Sequence, residues 1–112
     1  MRGYIASREF VDVRRLVHNQ ENDSYIGAFI SLDLAHQSSS SLNGRIRGKN
    51  GINIIRITPC ADSSESIYEW IMNTDLRGDI PKVIIRRAIG TYLTSYIKML
   101  EAYINENRHK YQ

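Results

Sequence analysis

The sequence DLRGDIP, residues 75–81, is followed by an apolar-rich segment that extends to the end of the chain. Proline suits the first turn of a helix, where its missing N–H group leaves no hydrogen bond unmade, so Pro81 predicts a helix start. Asp79 lies just before it and is a residue type that caps helices. The stretch therefore predicts a turn that leads into a long C-terminal helix.

Two neighbouring apolar stripes follow Pro81 at the spacing of three and four residues that is typical of a helix. The first consists of Ile85, Ile89, Tyr92, Tyr96, Met99 and Tyr103, and the second of Ile84, Ala88, Leu93, Ile97, Leu100 and Ile104. Together they are wider than the apolar arc of about 100° with which a helix packs on one neighbour. We therefore expect apolar neighbours on two sides, supplied by a sheet and by either an apolar ligand or another piece of protein.

The chain before the turn reads as strands separated by polar turns. Residues 8–17 (REFVDVRRLV) alternate between two faces with a period of two. Residues 25–34 (YIGAFISLDL) and 66–76 (SIYEWIMNTDL) are rich in the aromatic and β-branched residues that favour strands. An Asn-Gly pair at residues 50–51 lies between two further strand-like runs and predicts a hairpin. The order predicts an antiparallel meander of about five strands.

The composition indicates a folded protein with a single domain, residues 1–112. Hydrophobic residues make up 42% of the chain and charged residues 24%, which argues against disorder. The net charge of +3 is not gathered into a Lys/Arg block, so we expect no nucleic-acid partner. The N-terminal residues MRGYIASREF contain no signal-peptide core, and a single cysteine, Cys60, fits a reducing compartment. These features predict a cytoplasmic protein.

The residue types that carry out catalysis are not grouped in this sequence. His18, His36 and His109 lie in or near polar segments without metal-ligand spacing, and Cys60 has no histidine nearby. The glycines mark turns rather than a phosphate-binding loop. We therefore expect no enzyme activity, no cofactor and no metal ion.

Four segments, in this order, resemble the C-terminal half of a START domain, the lipid-transfer domain named after the steroidogenic acute regulatory protein. They are SREFVDVR (7–14), YIGAFISLDL (25–34), EWIMNTDL (69–76) and DLRGDIP (75–81) with its apolar helix. The resemblance covers residues 3–104 and is nearest to the sterol-binding branch. A START domain is about twice as long as this chain, in keeping with ordinary domain sizes, so the resemblance implies an N-terminally truncated domain.

The resemblance implies an α+β class and a partial helix-grip fold, in which a curved antiparallel sheet packs on the long C-terminal helix. The tunnel between them would hold one lipid. The implied function is lipid binding and intracellular lipid transfer, with a sterol as the first ligand. Oxysterol, bile acid, phospholipid and ceramide remain alternatives.

The resemblance also implies which residues contact the lipid. Arg14 matches the family's cavity arginine, whose carboxylate partner lies in the absent half, and Asp12 on the same face is a substitute partner. Asp33 matches the family's acidic position at a strand end, and Phe29 and Ser31 share its parity. A solvated strand arginine remains the alternative for Arg14.

On the helix, the resemblance predicts that Ile89, Tyr92, Tyr96 and Leu100 face the lipid, with core packing as the alternative. Residues 36–43 correspond to a loop proposed as a lipid gate, with a plain solvated loop as the alternative.

A second function of another class is open. A half-domain exposes a sheet edge and an apolar face, and such features favour dimerisation or pairing with another polypeptide without a closed pocket. A helix-grip enzyme of the cyclase or hydrolase kind is a third alternative. The expected partners are a lipid, a transiently contacted membrane surface and a second copy of the chain, with peripheral location at organelle membranes.

Overall fold

The computed structural model describes residues 6–33, 44–62 and 64–110. It divides into two compact units, Met1–Gly78 and Asp79–Gln112. The first unit contains the strands and the second contains one long helix, so the predicted α+β class is confirmed.

Eight strands and one α-helix lie in the described residues. They are β1 (Arg8–Glu9), β2 (Asp12–Asn19), β3 (Ser24–Ser31), β4 (Ile46–Arg47), β5 (Lys49–Asn50), β6 (Asn53–Pro59), β7 (Ser66–Ile71), β8 (Thr74–Asp75) and α1 (Lys82–Asn107). A short 3₁₀ turn, Arg108–Lys110, follows α1.

The four longest strands form one antiparallel sheet with the order β2-β3-β6-β7. Arg14 lies opposite Phe29, and Phe29 opposite Asn53, while Ile55 lies opposite Trp70. Antiparallel pairing of successive long strands is therefore confirmed. Because directly paired residues of an antiparallel sheet point to the same side, this register fixes which side chains share a face.

The predicted hairpin at residues 50–51 is wrong. Instead of pairing with β6, β5 pairs with β8 through Asn50 and Thr74, and the Gly51 N–H donates to the Asn73 carbonyl at 2.8 Å. The asparagine side chain is engaged by Asp12 and Thr74, so the Asn-Gly pair does not form a two-residue turn. The small β1–β4 pair is parallel, which also departs from the meander.

The most completely buried side chains of the described residues are polar. Asn53 has no exposed surface, Ser24 is 2% exposed and Asn50 is 7% exposed, whereas no hydrophobic side chain in these residues is fully buried. Buried polar groups are stable only when hydrogen-bonded, so the bonds of these residues determine how the strands are held.

Helix α1 confirms the helix that the apolar spacing predicts, but its start differs from the prediction. Pro81 is the N-cap rather than part of the first turn, and its carbonyl accepts from the N–H groups of Ile84 and Ile85. No side chain caps the helix, so the predicted Asp79 cap is wrong. Asp79 lies two residues before the N-cap position, and Pro81 at that position has no side-chain oxygen that could accept a hydrogen bond.

The turn within DLRGDIP is confirmed, and it has two consecutive left-handed residues. Arg77 has φ 56° and Gly78 has φ 77°. The Asp75 Oδ1 atom accepts from the Arg77 N–H at 2.8 Å. The Arg8 guanidinium donates to the carbonyls of Leu76 (3.0 Å) and Arg77 (2.6 Å), which ties this turn to β1.

We expect Gly78→Ala to destabilise the protein by about 1–2 kcal/mol, because a left-handed backbone disfavours a Cβ atom. An added Cβ would also lie 2.7 Å from the Arg8 Nη2 atom. Gly90→Ala is the matched control, since its added Cβ meets nothing within 4 Å. Removing a glycine from a helix interior should stabilise by about 0.5–1 kcal/mol. Urea denaturation followed by circular dichroism measures both; equal effects would contradict the strain argument.

Candidate functional site

One face of the four-stranded sheet collects most of the aromatic side chains of the strands, and we call it the aromatic face. By register it consists of Asp12, Arg14, Leu16, His18, Tyr25, Gly27, Phe29, Ser31, Asn53, Ile55, Ile57, Pro59, Ser66, Tyr68 and Trp70. The Asp12 carboxylate and the Ser31 hydroxyl lie at one end of this face. The aromatic face is therefore amphipathic along the strands.

Phe29 and Trp70 form a ring pair on the aromatic face, with their centroids 6.3 Å apart and their planes inclined by 58°. Tilted pairs of this kind are attractive, because the electropositive edge of one ring approaches the electronegative face of the other. Farther along, His18 stacks on Tyr25 at 4.3 Å, and its Nε2 atom lies 2.6 Å from the Asp23 Oδ1 atom. These contacts hold flat rings side by side on one surface.

The polar end of the aromatic face is a closed hydrogen-bond network. The Ser31 hydroxyl donates to Asp12 Oδ1 at 2.7 Å and accepts from the Asn50 N–H at 2.7 Å. The Asn50 side chain donates to Asp12 Oδ2 at 2.8 Å and accepts from the Thr74 hydroxyl at 2.7 Å. The network joins β2, β3, β5 and β8, so it fixes the position of Asp12 and Ser31.

Arg14 lies on the aromatic face beside the polar end and opposite Phe29. Its side chain is exposed, and no ion pair of Arg14 is found among the residues that the structure describes. Asp12, the substitute partner suggested by the sequence, is hydrogen-bonded to Ser31 and Asn50. Arg14 therefore places a cationic group next to an aromatic surface.

The other sequence-predicted site residues lie beyond the end of β3 or in the second unit. Asp33 is exposed and lies two residues beyond the end of β3. On α1, Ile89, Tyr96 and Leu100 are partly buried, whereas Tyr92 is 56% exposed, and the Tyr92 and Tyr96 rings are 6.2 Å apart. Residues 36–43, the predicted gate, lie outside the described residues.

Sequence reasoning missed Asn50, Asn53 and Trp70 as members of this site. A sequence signal for Trp70 does exist, because this residue lies in the strand-like segment of residues 66–76, which runs directly into the DLRGDIP turn. The asparagines have none, because this residue type is depleted in strands and common in loops. Apart from Gly51, their partners lie 17 to 38 residues away in the chain.

A match to a protein-family model identifies the kind of domain to which this face belongs. The model of the START domain matches residues 1–110. The chain belongs to the START domain family. This START domain chain is also similar to curated proteins called steroidogenic acute regulatory protein, mitochondrial. The Danio rerio protein is 26% identical over 97 residues, which are 86% of this chain and 33% of that protein.

Two further relatives have the same name and come from Salvelinus fontinalis and Oncorhynchus mykiss. Each is 25% identical over 104 residues, or 92% of this START domain chain and 35% of the relative. The chain therefore spans about a third of the length of the curated relatives it matches.

In the described ranges, no group of three or more His, Cys, Asp or Glu side chains is placed to hold a metal ion. Over the same residues, α1 does not combine the length and the apolar character of a membrane-spanning helix.

Proposed function

We propose that this START domain chain binds a lipid and takes part in intracellular lipid transfer, with a sterol as the ligand. The observation that carries the proposal is the aromatic face, where Phe29 contacts Trp70 and lies opposite Arg14, and where the Asp12–Ser31 network lies at one end. A sterol has a flat apolar ring system with one polar group at its end, which matches this distribution. The relatives' name, steroidogenic acute regulatory protein, supports a sterol over other lipids.

The proposed binding is driven by burial of apolar surface, at about 25 cal/mol per Å² removed from water. Polar contacts add orientation rather than most of the affinity. In this proposal Arg14, Ser31 and Asp33 receive the polar end of the sterol and Phe29 contacts its rings. Ile89, Tyr92, Tyr96 and Leu100 of α1 are the helix residues proposed to contact the lipid.

The proposed role is non-catalytic and cytoplasmic, with transient contact at an organelle membrane. Arg86 and Arg87 lie with Thr91 and Thr94 around a shallow surface hollow of about 530 Å³ on α1. Cationic and hydroxyl groups of this kind suit the anionic phosphates of a lipid surface. This supports the membrane contact, independently of the lipid held by the sheet.

Titration with the fluorescent sterol dehydroergosterol tests the proposed function. We expect saturable one-to-one binding, and we expect Arg14→Ala to weaken it by about tenfold, equivalent to ~1.4 kcal/mol. Arg15→Ala is the matched control, because Arg15 neighbours Arg14 but points to the opposite face of β2. Its affinity should stay within about twofold of the unmodified chain, a change of ~0.4 kcal/mol.

The absence of saturable binding would overturn this proposal and favour the alternative, an association module without a closed lipid pocket. Among the described strands, β2 pairs only with β3 and β7 only with β6, so both have an edge able to accept another strand. A concentration-dependent dimer in size-exclusion chromatography, without sterol binding, is the result expected of that alternative.

A further inference from the structure

We propose that Asn53 is a positioning residue that fixes the Trp70 indole on the aromatic face and thereby sets the affinity for the ligand. The inference rests on the lipid-binding function proposed above and adds a residue that does not itself touch the lipid. It follows from the hydrogen bonds of one side chain that has no exposed surface.

All four hydrogen-bonding positions of the Asn53 side-chain amide are used. The Nδ2 group donates to the carbonyls of Gly51 (3.1 Å) and Asn73 (2.9 Å). The Oδ1 atom accepts from the Trp70 indole N–H at 3.2 Å and from the Asn73 N–H at 3.3 Å. Two donors and two acceptors are the full capacity of an asparagine side chain, so the network is saturated.

These partners allow only one orientation of the amide. Gly51 and Asn73 offer carbonyl oxygens, which only accept, so they must face the Asn53 Nδ2 group. The indole N–H and the Asn73 N–H only donate, so they must face the oxygen. A rotated amide would oppose like groups at all four contacts. The Oδ1 atom is therefore a fixed acceptor aimed at Trp70.

A fixed acceptor for the indole N–H has two consequences for the aromatic face. The Trp70 ring is held from its nitrogen side while it contacts Phe29, so both interactions constrain its plane. Its only polar group is already occupied by a protein acceptor. Trp70 therefore presents apolar ring surface to the ligand, and polar contacts to the ligand are left to the end of the face that carries Arg14.

The test separates the acceptor of Asn53 from its donors, and it uses Trp70, the single tryptophan of the chain, as the probe. Asn53→Leu removes both functions while keeping a side chain of the same branched shape and number of heavy atoms. Asn53→Asp keeps an oxygen facing Trp70 but replaces the amide donors. Three measurements apply to each variant: urea stability, acrylamide quenching of Trp70 without ligand, and dehydroergosterol affinity.

We expect Asn53→Leu to increase Trp70 quenching and to weaken sterol binding by about tenfold. We expect Asn53→Asp to lose stability, yet to keep the quenching of the unmodified chain and an affinity within about twofold. A purely structural role predicts that affinity follows stability, so the aspartate variant would lose both. Equal loss of affinity in the two variants, or unchanged quenching in the leucine variant, overturns the inference.

Trp70→Phe gives an independent answer if neither Asn53 variant folds. It keeps an aromatic ring but removes the indole N–H that Asn53 holds, so the inference predicts a loss of affinity of about tenfold, and an affinity within about twofold of the unmodified chain overturns it. Failure of the proposed function is distinguishable, because an unmodified chain without saturable sterol binding still yields the ligand-free quenching comparison. That comparison then decides whether Asn53 positions Trp70.

Discussion

Asn50→Asp is expected to destabilise the protein by about 2–3 kcal/mol at neutral pH and by much less near about pH 4. The substitution removes the amide donor that lies 2.8 Å from Asp12 Oδ2 and places a second carboxylate there. Protonating either carboxylate restores a donor. The folded variant therefore binds more protons than its unfolded chain, and its deficit relative to the unmodified protein shrinks as the pH falls.

Urea denaturation of both proteins at several pH values measures this difference. Asn19→Asp is the matched control, because Asn19 Oδ1 only accepts a hydrogen bond from the Glu21 N–H in an exposed turn, and an aspartate oxygen can do the same. A pH-independent deficit at position 50 would show that Asn50 acts through shape and not through its bond to Asp12.

Arg8→Leu is expected to destabilise the protein by about 2–3 kcal/mol, since hydrogen bonds from a charged donor are among the strongest in proteins. The guanidinium donates to three backbone carbonyls, those of Ala6, Leu76 and Arg77. Two of these belong to the turn before α1, 68 and 69 residues away in the chain. Leucine keeps much of the aliphatic stem but leaves those carbonyls without this donor.

The matched control for Arg8 is Arg56→Leu. Arg56 forms a two-pronged ion pair with Glu69 at 2.9 and 3.0 Å, but both side chains are about half exposed. Exposed ion pairs of this kind contribute about 0–1 kcal/mol. Thermal unfolding of the two variants should rank Arg8→Leu well below Arg56→Leu in stability; the reverse order would refute the role given to the Arg8 contacts.

Local patterns predicted the long elements of this chain well. The helix was predictable because its apolar residues recur at helical spacing from Ile84 to Ile104, and the principal strands because they alternate or are rich in β-branched residues. The turn before the helix was predictable from Gly78 and Pro81. Each of these signals lies within the element that it predicts.

The hairpin prediction failed for the opposite reason. The conformation at Asn50 and Gly51 is set by Asp12, Asn73 and Thr74, which are distant in sequence. The preference of the Asn50-Gly51 pair for a turn contributes less stabilising free energy than several hydrogen bonds made by a nearly buried amide. Short-range turn signals carry no information about such partners.

The candidate site was predictable in part. Strand parity places Arg14 and Leu16 on one face, and the register agrees. The hydrogen bonds that organise this face were not predictable, because Asn53 becomes buried only when residue 73 is brought beside it. The roles of Arg14, Asp33 and the helix residues in lipid binding stay predictions until the titrations are done.

The contacts of Gly51 have a consequence for the chemical ageing of the chain. In unfolded polypeptides, asparagine followed by glycine is prone to deamidation, because the unhindered glycine nitrogen attacks the side-chain amide carbon and expels ammonia. Here the Gly51 N–H is directed to the Asn73 carbonyl, and the Asn50 amide is held by Asp12 and Thr74. The folded state therefore protects this bond, and deamidation at residue 50 records time spent unfolded. Since the aspartate product is itself expected to be less stable, each such event makes the next unfolding easier.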